Sequence, residues 1–225
     1  MATSGTVTFS DTTDFGDLFT EAYERCGIFG PDLATIHLES AQRTGNLLFS
    51  KWSNLQPRLW AVDQQTQVLT ADDGQYDLAS GTVAVLEAAI RFESLDRRIS
   101  PISRAEYLSI SNKAQSGQPT CYYVQRTITP VIFLWPVQDA SGYTLVYNRA
   151  RIQYDVSATF SQTADTPNRW MEAMASGLAA MLAVKWAPDR VGMLEAQADK
   201  AFAQAVAEDR ERVPLRIVPD LTWWG

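Results

Sequence analysis

Residues 166–188, TPNRWMEAMASGLAAMLAVKWAP, carry the strongest fold signal of the chain, the repeat of an α-helix between two clear boundaries. Thr166 is a suitable N-cap, and Pro167 fits the first helical position because its missing N–H would have no intrahelical acceptor there. The pair Ala187-Pro188 ends the helix. Apolar residues recur three and four positions apart, which predicts one buried face made of Trp170, Met174, Gly177, Leu178, Met181, Leu182 and Trp186.

A further helix follows this segment and leads into a tail of different character. The helix begins near Pro188, and its predicted apolar face is made of Val191, Leu194, Ala198, Phe202 and Ala205. The tail, RVPLRIVPDLTWWG at 212–225, cannot continue the helix because each proline removes an amide donor and clashes with the preceding turn. We expect an extended arm whose apolar side chains are covered either by the chain's own core or, in the interpretation we follow, by a partner.

Upstream of these helices, from about Leu59 to about residue 160, the hydrophobic period changes to two. In GTVAVLEAAIRFES at 81–94 the even positions are apolar while Glu87, Arg91 and Glu93 face away, the pattern of a half-buried strand. Its predicted buried side consists of Ala84, Leu86, Ala88, Ile90 and Phe92.

Other strands are predicted around this one. The turn ADDGQ at 71–75 separates QVLT from YDLA and indicates a hairpin. CYYVQRTITPVIFLWPV predicts two strands broken at Pro130, of which VIFLW is apolar on both faces and is expected to be central. In YTLVYNRARIQYDV the alternation slips phase, which predicts a β-bulge near Asn148-Arg149. Ser103 followed by Glu106 is a capping box that opens a short helix.

Two helices are predicted in the N-terminal part. The first runs through DFGDLFTEAYERC, with Asp14 as N-cap and Gly27 as the stop. The second extends from about Pro31 to about Gln56, with a narrow stripe of Ala34, Leu38, Ala41, Gly45, Leu48, Trp52 and Leu55.

This order of elements predicts an α+β fold in which a helical bundle is interrupted by an inserted antiparallel β-domain. The N-terminal helices of the bundle occupy residues 1–58, the β-rich insertion 59–160 and the C-terminal helices 161–212. The extended C-terminal arm occupies 213–225.

Composition limits the function. The net charge is −7 and the pI about 4.7, the wrong sign for holding phosphates tightly. Cys26 and Cys121 lack the spacing of a metal or redox pair and are interpreted as buried residues in a reducing compartment. The sequence shows no secretory signal and no apolar run of the roughly 18 residues that a membrane span needs, so we expect synthesis in the cytoplasm.

The sequence contains little that indicates a catalytic site. His37, the one histidine, flanks the stripe of the second helix, and Asp72-Asp73-Gly74 lacks the spacing of a calcium loop and is better explained as a turn. No phosphate-binding loop, dinucleotide fingerprint, nucleophile elbow or zinc-protease motif occurs in the sequence. We therefore expect no enzyme, no cofactor and no metal.

Three packing motifs resemble one bacteriophage family. They are EYL…NK…G.P at Glu106–Pro119, P.I.LWPV at Pro130–Val137 and P.RW.EA…LA at Pro167–Ala180. Together with the order of helices and strands, they are similar to the head-to-tail adaptor (connector) proteins of short-tailed phages, called tail tubular protein A in some of them.

The resemblance implies a structural protein of the virion, in the tail or neck region, made in the host cytoplasm. Members form a ring, usually of twelve copies, that joins the portal to the tail nozzle or tube, and double-stranded DNA passes through the channel without specific binding. Their C-terminal tails grip the portal. The corresponding portal-binding residues here are Pro214, Leu215, Ile217, Val218, Leu221, Trp223 and Trp224.

Two alternatives stay open. One is a different head- or tail-completion ring. The other is a β-sandwich ligand-binding module or hydrolase, which exposed Tyr122, Tyr123 and Tyr143 around a cleft would favour.

Overall fold

The computed structural model describes residues 14–55, 59–156 and 162–209. The described residues form an α+β fold, as predicted, with five α-helices and a curled seven-stranded sheet. The helices are α1 (Phe15–Cys26), α2 (Thr35–Ser53), α3 (Arg104–Ser109), α4 (Met171–Trp186) and α5 (Val191–Glu208). The strands are β1 (Val62–Val68), β2 (Gln75–Asp77), β3 (Thr82–Phe92), β4 (Leu95–Pro101), β5 (Cys121–Gln125), β6 (Val131–Trp135) and β7 (Thr144–Arg151).

Helix α1 has the boundaries that the sequence predicts. The Asp14 carboxylate accepts a hydrogen bond from the Asp17 backbone N–H, which satisfies a donor that has no partner within the helix. Gly27 ends the helix in the left-handed conformation, at φ 88°, where a side chain would add strain.

Helix α2 is shorter than predicted. Pro31 lies in a separate 3₁₀ turn, Gly30–Asp32, and Ala34 is the N-cap, whose backbone N–H donates to Nδ1 of His37 at 3.0 Å. Both ends of the predicted stripe are therefore wrong, because Ala34 and Leu55 lie outside the helix and are exposed. The middle of the stripe is confirmed, and polar and aromatic neighbours are buried with it. The buried residues of α2 are Ser40, Ala41, Thr44, Gly45, Leu48, Phe49 and Trp52.

Helix α4 differs from its prediction in its start and its burial. Thr166 is not the cap, because its hydroxyl accepts from the Gln153 side-chain amide, and a 3₁₀ turn, Asn168–Trp170, precedes the helix. Every residue from Ala173 to Ala180 is buried, so α4 has no single apolar face. The reason is that α1, α2 and α5 all pack against it, and its alanines and glycine allow close approach on every side.

One hydrophobic cluster joins these four helices, and we call it the helical core. It draws buried residues from both ends of the described chain, from Phe15 to Trp52 and from Val156 to Ala205. Its centre is an aromatic group in which the Trp52 ring lies 5.5 Å from that of Trp170 and 5.6 Å from that of Phe202.

The sheet has the strand order β1-β7-β3-β4-β5-β6-β2. All neighbouring pairs are antiparallel except β4 and β5, which are parallel at Ser100↔Cys121 and Pro101↔Tyr122. The predicted all-antiparallel domain is therefore wrong at this pair. A parallel pair needs a long crossover, and residues 102–120, which contain α3, supply it.

The predicted hairpin around residues 71–75 is also wrong. Strand β1 pairs with β7 and β2 pairs with β6, so the two strands on either side of the turn never meet. The turn itself is present, because the Asp73 carboxylate accepts from the Gln75 N–H and Asp72 takes φ 62°. The break at Pro130 is confirmed, and β6 is paired on both sides, although β2 covers only three of its residues.

The phase slip that predicted a bulge in β7 has its physical origin in the partner strand. Strand β7 pairs with β1 without interruption, whereas β3 is irregular between Val85 and Glu87, opposite Arg149 and Asn148. A second irregularity, between Thr82 and Ala84, lies opposite Arg151 and Ala150. Leu86 is the extra residue at the first of these and is exposed, not buried as its even position predicts.

A second hydrophobic cluster lies inside the curled sheet, separate from the helical core. Its buried residues are Leu69, Tyr76, Leu78, Ala88, Ile90, Ile99, Tyr122, Ile132, Leu134, Tyr143, Leu145 and Tyr147.

Candidate interaction surface

A groove of about 550 Å³ runs over α4 between α2 and α5, and we call it the three-helix groove. Small residues of α4, Ala173, Gly177 and Ala180, form its floor. Its walls are Leu48, Lys51 and Trp52 from α2, Leu55 just after α2, and Glu195, Ala198, Asp199 and Phe202 from α5, with Met181 and Val184 at the α4 end.

The groove lies where α2 and α5 both pack against α4. A Cβ on Gly177 would lie 3.2 Å from Leu48 Cδ2, so the missing side chain lets α2 lie directly on α4. The rings of Trp52 and Phe202, one from each wall, lie 5.6 Å apart. The floor residues of α4 are themselves buried, so the exposed apolar surface of the groove belongs to its walls and its α4 end.

The groove is apolar inside and charged at its rim. Leu55 is 50% exposed and Val184 is 63% exposed, although both are large aliphatic side chains next to the groove. Lys51, Glu195 and Asp199 are exposed at the edges. An apolar centre inside a polar rim is typical of a protein-binding surface.

An ion pair and several hydrogen bonds join α4, the floor of the groove, to α1 and α2. The Arg25 guanidinium of α1 donates to both carboxylate oxygens of Glu172 on α4, at 2.8 and 2.9 Å, and to the Ser176 hydroxyl. This contact lowers the pKa of Glu172 and raises that of Arg25. On the other side, Lys185 Nζ donates to the hydroxyl groups of Ser40 and Thr44, which joins α4 to α2.

The residues considered for catalysis have structural contacts. His37 accepts a capping hydrogen bond, and its ring packs 4.5 Å from that of Trp186 and 5.4 Å from that of Tyr23. Cys26 is buried, Cys121 is half-buried, and both are free thiols whose pKa is raised by burial. Among the described residues no three His, Cys, Asp or Glu side chains come together as a metal site would require.

The three tyrosines that the ligand-binding alternative needs in exposed positions are buried or half-buried in the described structure. Tyr122 and Tyr143 are buried inside the sheet. Tyr123 is half-buried, and its ring packs against those of Tyr107, in α3, and Phe133, at 5.3 and 5.9 Å.

The seven residues predicted to bind a portal all lie beyond residue 209, outside the described residues. The sequence analysis did not predict the three-helix groove. The indication was in α4, where almost every position from 170 to 184 is apolar or small. A helix that packs on one side only needs fewer apolar residues, so this composition indicates contacts on several sides.

A family model described as SU10 adaptor protein matches residues 32–218. The chain belongs to the SU10 adaptor protein family. The matched range of this adaptor family member includes the whole three-helix groove and also Pro214, Leu215, Ile217 and Val218. Leu221, Trp223 and Trp224 lie beyond it. No curated protein is significantly similar to the chain.

Membership of the SU10 adaptor protein family identifies a structural adaptor protein of bacteriophages. The family is not one of enzymes, in agreement with the sequence-based expectation. The narrower resemblance to tail tubular protein A stays a prediction. No helix of the described residues has both the length and the apolar character to span a bilayer.

Proposed function

We propose that this protein is a head-to-tail adaptor, which assembles into a ring of twelve copies between the portal and the tail nozzle or tube. Double-stranded DNA passes through the ring without specific binding. The protein is made in the host cytoplasm and resides in the neck or tail region of the virion. The observation that carries the proposal is the adaptor family match over residues 32–218.

The described structure supports a two-part subunit suited to this role. The helical core takes residues from both ends of the chain, while the second cluster lies entirely between Leu69 and Tyr147. We propose that residues 1–58 and 161–212 form one bundle, that 59–160 form the inserted β-domain, and that 213–225 form an extended arm. Two separate cores allow one part to contact the portal and the other the tail.

The arm is the proposed portal contact, through Pro214, Leu215, Ile217, Val218, Leu221, Trp223 and Trp224. Tryptophan is a frequent anchor of protein interfaces because its ring removes a large apolar area from water, and the aliphatic side chains beside it add to that area. The excess of acidic residues, net −7, fits a channel that repels phosphate and lets a duplex slide.

The test is reconstitution with the cognate portal ring. Purified full-length chain and portal should co-elute from size exclusion, and the mass of the complex should correspond to twelve subunits per portal ring. A chain that lacks 213–225 should stay folded by circular dichroism and fail to co-elute. A complex that forms equally well without the arm would refute its role. A ring that binds a tail-completion protein and never the portal would favour the alternative of another head- or tail-completion protein.

A further inference from the structure

We propose that the three-helix groove binds residues 213–218 of the same chain and so fixes the base of the C-terminal arm on the helical core. In this arrangement Pro214, Leu215, Ile217 and Val218 bind the groove instead of the portal, and the portal contact is left to Leu221, Trp223 and Trp224, which project from the subunit. The link to a portal rests on the proposed function, whereas binding within the chain does not.

The groove offers an apolar surface that a neighbouring segment would stabilise by covering it. Leu55 and Val184 are mostly exposed at its edges, and Met181 and Phe202 are half-buried in its walls. Each 100 Å² of apolar surface removed from water contributes about 2.5 kcal/mol. Apart from Leu55, which follows α2, these side chains lie in helices that pack on the helical core, so little ordering of the groove opposes binding.

The segment is within reach. Phe202 precedes the end of α5 at Glu208 by six residues, roughly 9 Å along the helix axis. Residues 209–212 can reverse the chain direction, since four extended residues span up to about 13 Å. The floor from Ala173 to Val184 is roughly 16 Å long, which corresponds to about five extended residues. This length matches residues 213–218.

The residue pattern of the segment fits a groove with one apolar side and a charged rim. In an extended chain, alternate residues share a side, so Val213, Leu215 and Ile217 can all face the floor. Arg216 then points the other way, toward the rim. Pro214 keeps the chain extended because its ring fixes φ and excludes a helix.

Charge favours the same placement. The α5 wall carries Glu195 and Asp199, and the segment that follows α5 carries Arg210, Arg212 and Arg216. Lys51 is the one cation among the residues that line the groove, on the opposite wall. Residues 210–225 contain three arginines and two acidic residues, so this stretch is basic within a chain of net charge −7.

Limited trypsin digestion of the full-length chain tests the contact directly. In the native protein, cleavage after Arg216 should be slow because the segment is held in the groove. Val184→Glu places a carboxylate against the apolar segment and should accelerate this cleavage at least tenfold. Val68→Glu, at a valine of β1 that is 75% exposed against 63% for Val184, is the matched control and should leave the rate unchanged. Both variants should keep the native circular dichroism spectrum, since both valines are exposed.

A peptide experiment identifies the occupant. A chain that ends at Asp209 should bind a labelled peptide of residues 210–219, and the full-length chain should not, because its own segment fills the groove. Val184→Glu in the shortened chain should abolish peptide binding, and Arg216→Glu in the peptide should weaken it at least tenfold.

Three results would overturn the proposal: no binding to the shortened chain, equal binding to both chains, or rapid cleavage after Arg216 in the unmodified protein. Self-association that Val184→Glu abolishes would assign the groove to a second copy and would equally refute it. Because none of these measurements contains the portal, their failure is distinct from failure of the reconstitution.

Discussion

Gly45 of α2 faces Val156 so closely that a Cβ built on the glycine would lie 3.1 Å from the valine Cγ2. Both residues are buried in the helical core, and the neighbouring cavity, at about 10 Å³, is far too small for a side chain. The position therefore depends on the absence of a side chain more than on the flexibility of glycine.

Gly45→Leu should lower the free energy of unfolding by about 1–3 kcal/mol, because the steric cost of overfilling exceeds the gain in helix propensity. Urea denaturation measures the change. Gly192→Ala is the matched control, because a Cβ there meets nothing within 4 Å, and it should be neutral or stabilise by up to about 1 kcal/mol. A more stable Gly45→Leu variant would mean that the α2 contact is misassigned.

Asp63→Asn should destabilise the sheet. Arg149 is buried, and its guanidinium Nε donates to Asp63 Oδ1 at 2.8 Å and joins β1 to β7. Asparagine keeps one acceptor oxygen but carries no charge, so the buried cation is left with only neutral acceptors, among them the carbonyl and hydroxyl groups of residues 79–82. We expect a loss of about 1–3 kcal/mol at pH 7 by chemical denaturation.

The pH dependence of this effect follows from the pKa of Asp63. The hydrogen bond from Arg149 lowers it relative to the unfolded chain. A depressed carboxyl pKa contributes stability that is present above the unfolded value near 4 and is lost as the pH falls through the folded pKa. The stability difference between the native protein and Asp63→Asn should therefore be constant above about pH 5 and shrink below pH 4. A difference that stays constant down to pH 2 would contradict the assignment.

The two thiols should differ in reactivity. Cys26 is 5% exposed and lies 3.5 Å from the Ala179 carbonyl oxygen in the α1–α4 contact, whereas Cys121 is half-buried. A thiol reagent at pH 8 should modify Cys121 first and Cys26 only as the helices open, because the thiolate must form and be reached by the reagent. Cys121→Ser isolates the slow phase. Equal rates in the native protein would show that α1 separates readily from α4.

Replacement of Trp223 and Trp224 together by Ala should weaken one subunit–portal contact by about 2–4 kcal/mol, the range of aromatic interface anchors. The loss in an assembled ring should be steeper, because contacts that form after the first are effectively intramolecular. Mutant capsids should package DNA and then lose both adaptor and genome. Normal adaptor occupancy with normal infectivity would place the portal contact elsewhere on the subunit.

Helix caps were predictable from the sequence where the capping contact joins residues that are close together in the chain. The Asp14 cap, the Gly27 stop and the capping box of Ser103 with Glu106 all form as the sequence indicates, because each depends on atoms within four residues. The boundaries of α2 and α4 shifted because Pro31 and Pro167 fit 3₁₀ turns or caps as well as they fit the first turn of an α-helix.

Pairing and grooves were less predictable because they depend on distant segments. Alternation along β2 is the same whether its partner is β1 or β6, and Tyr76 in fact pairs with Ile132. Leu86 changes side only because of its register opposite β7. The three-helix groove arises from how α2, α4 and α5 pack together, which no single helical repeat encodes. The portal-binding residues stay a prediction, since they lie outside the described residues.

The composition of the helical core from both ends of the chain also governs the order in which the protein can fold during translation. The contact between Trp52 and Trp170 cannot form until both residues have been synthesised. Roughly 120 residues lie between them, and their synthesis takes roughly 6–24 s at ribosomal rates. During that interval α1 and α2 have no α4 to cover them, whereas all twelve buried residues of the second cluster, from Leu69 to Tyr147, are synthesised before α4 begins. A chaperone would thus be needed in the period when α1 and α2 have been synthesised and α4 has not.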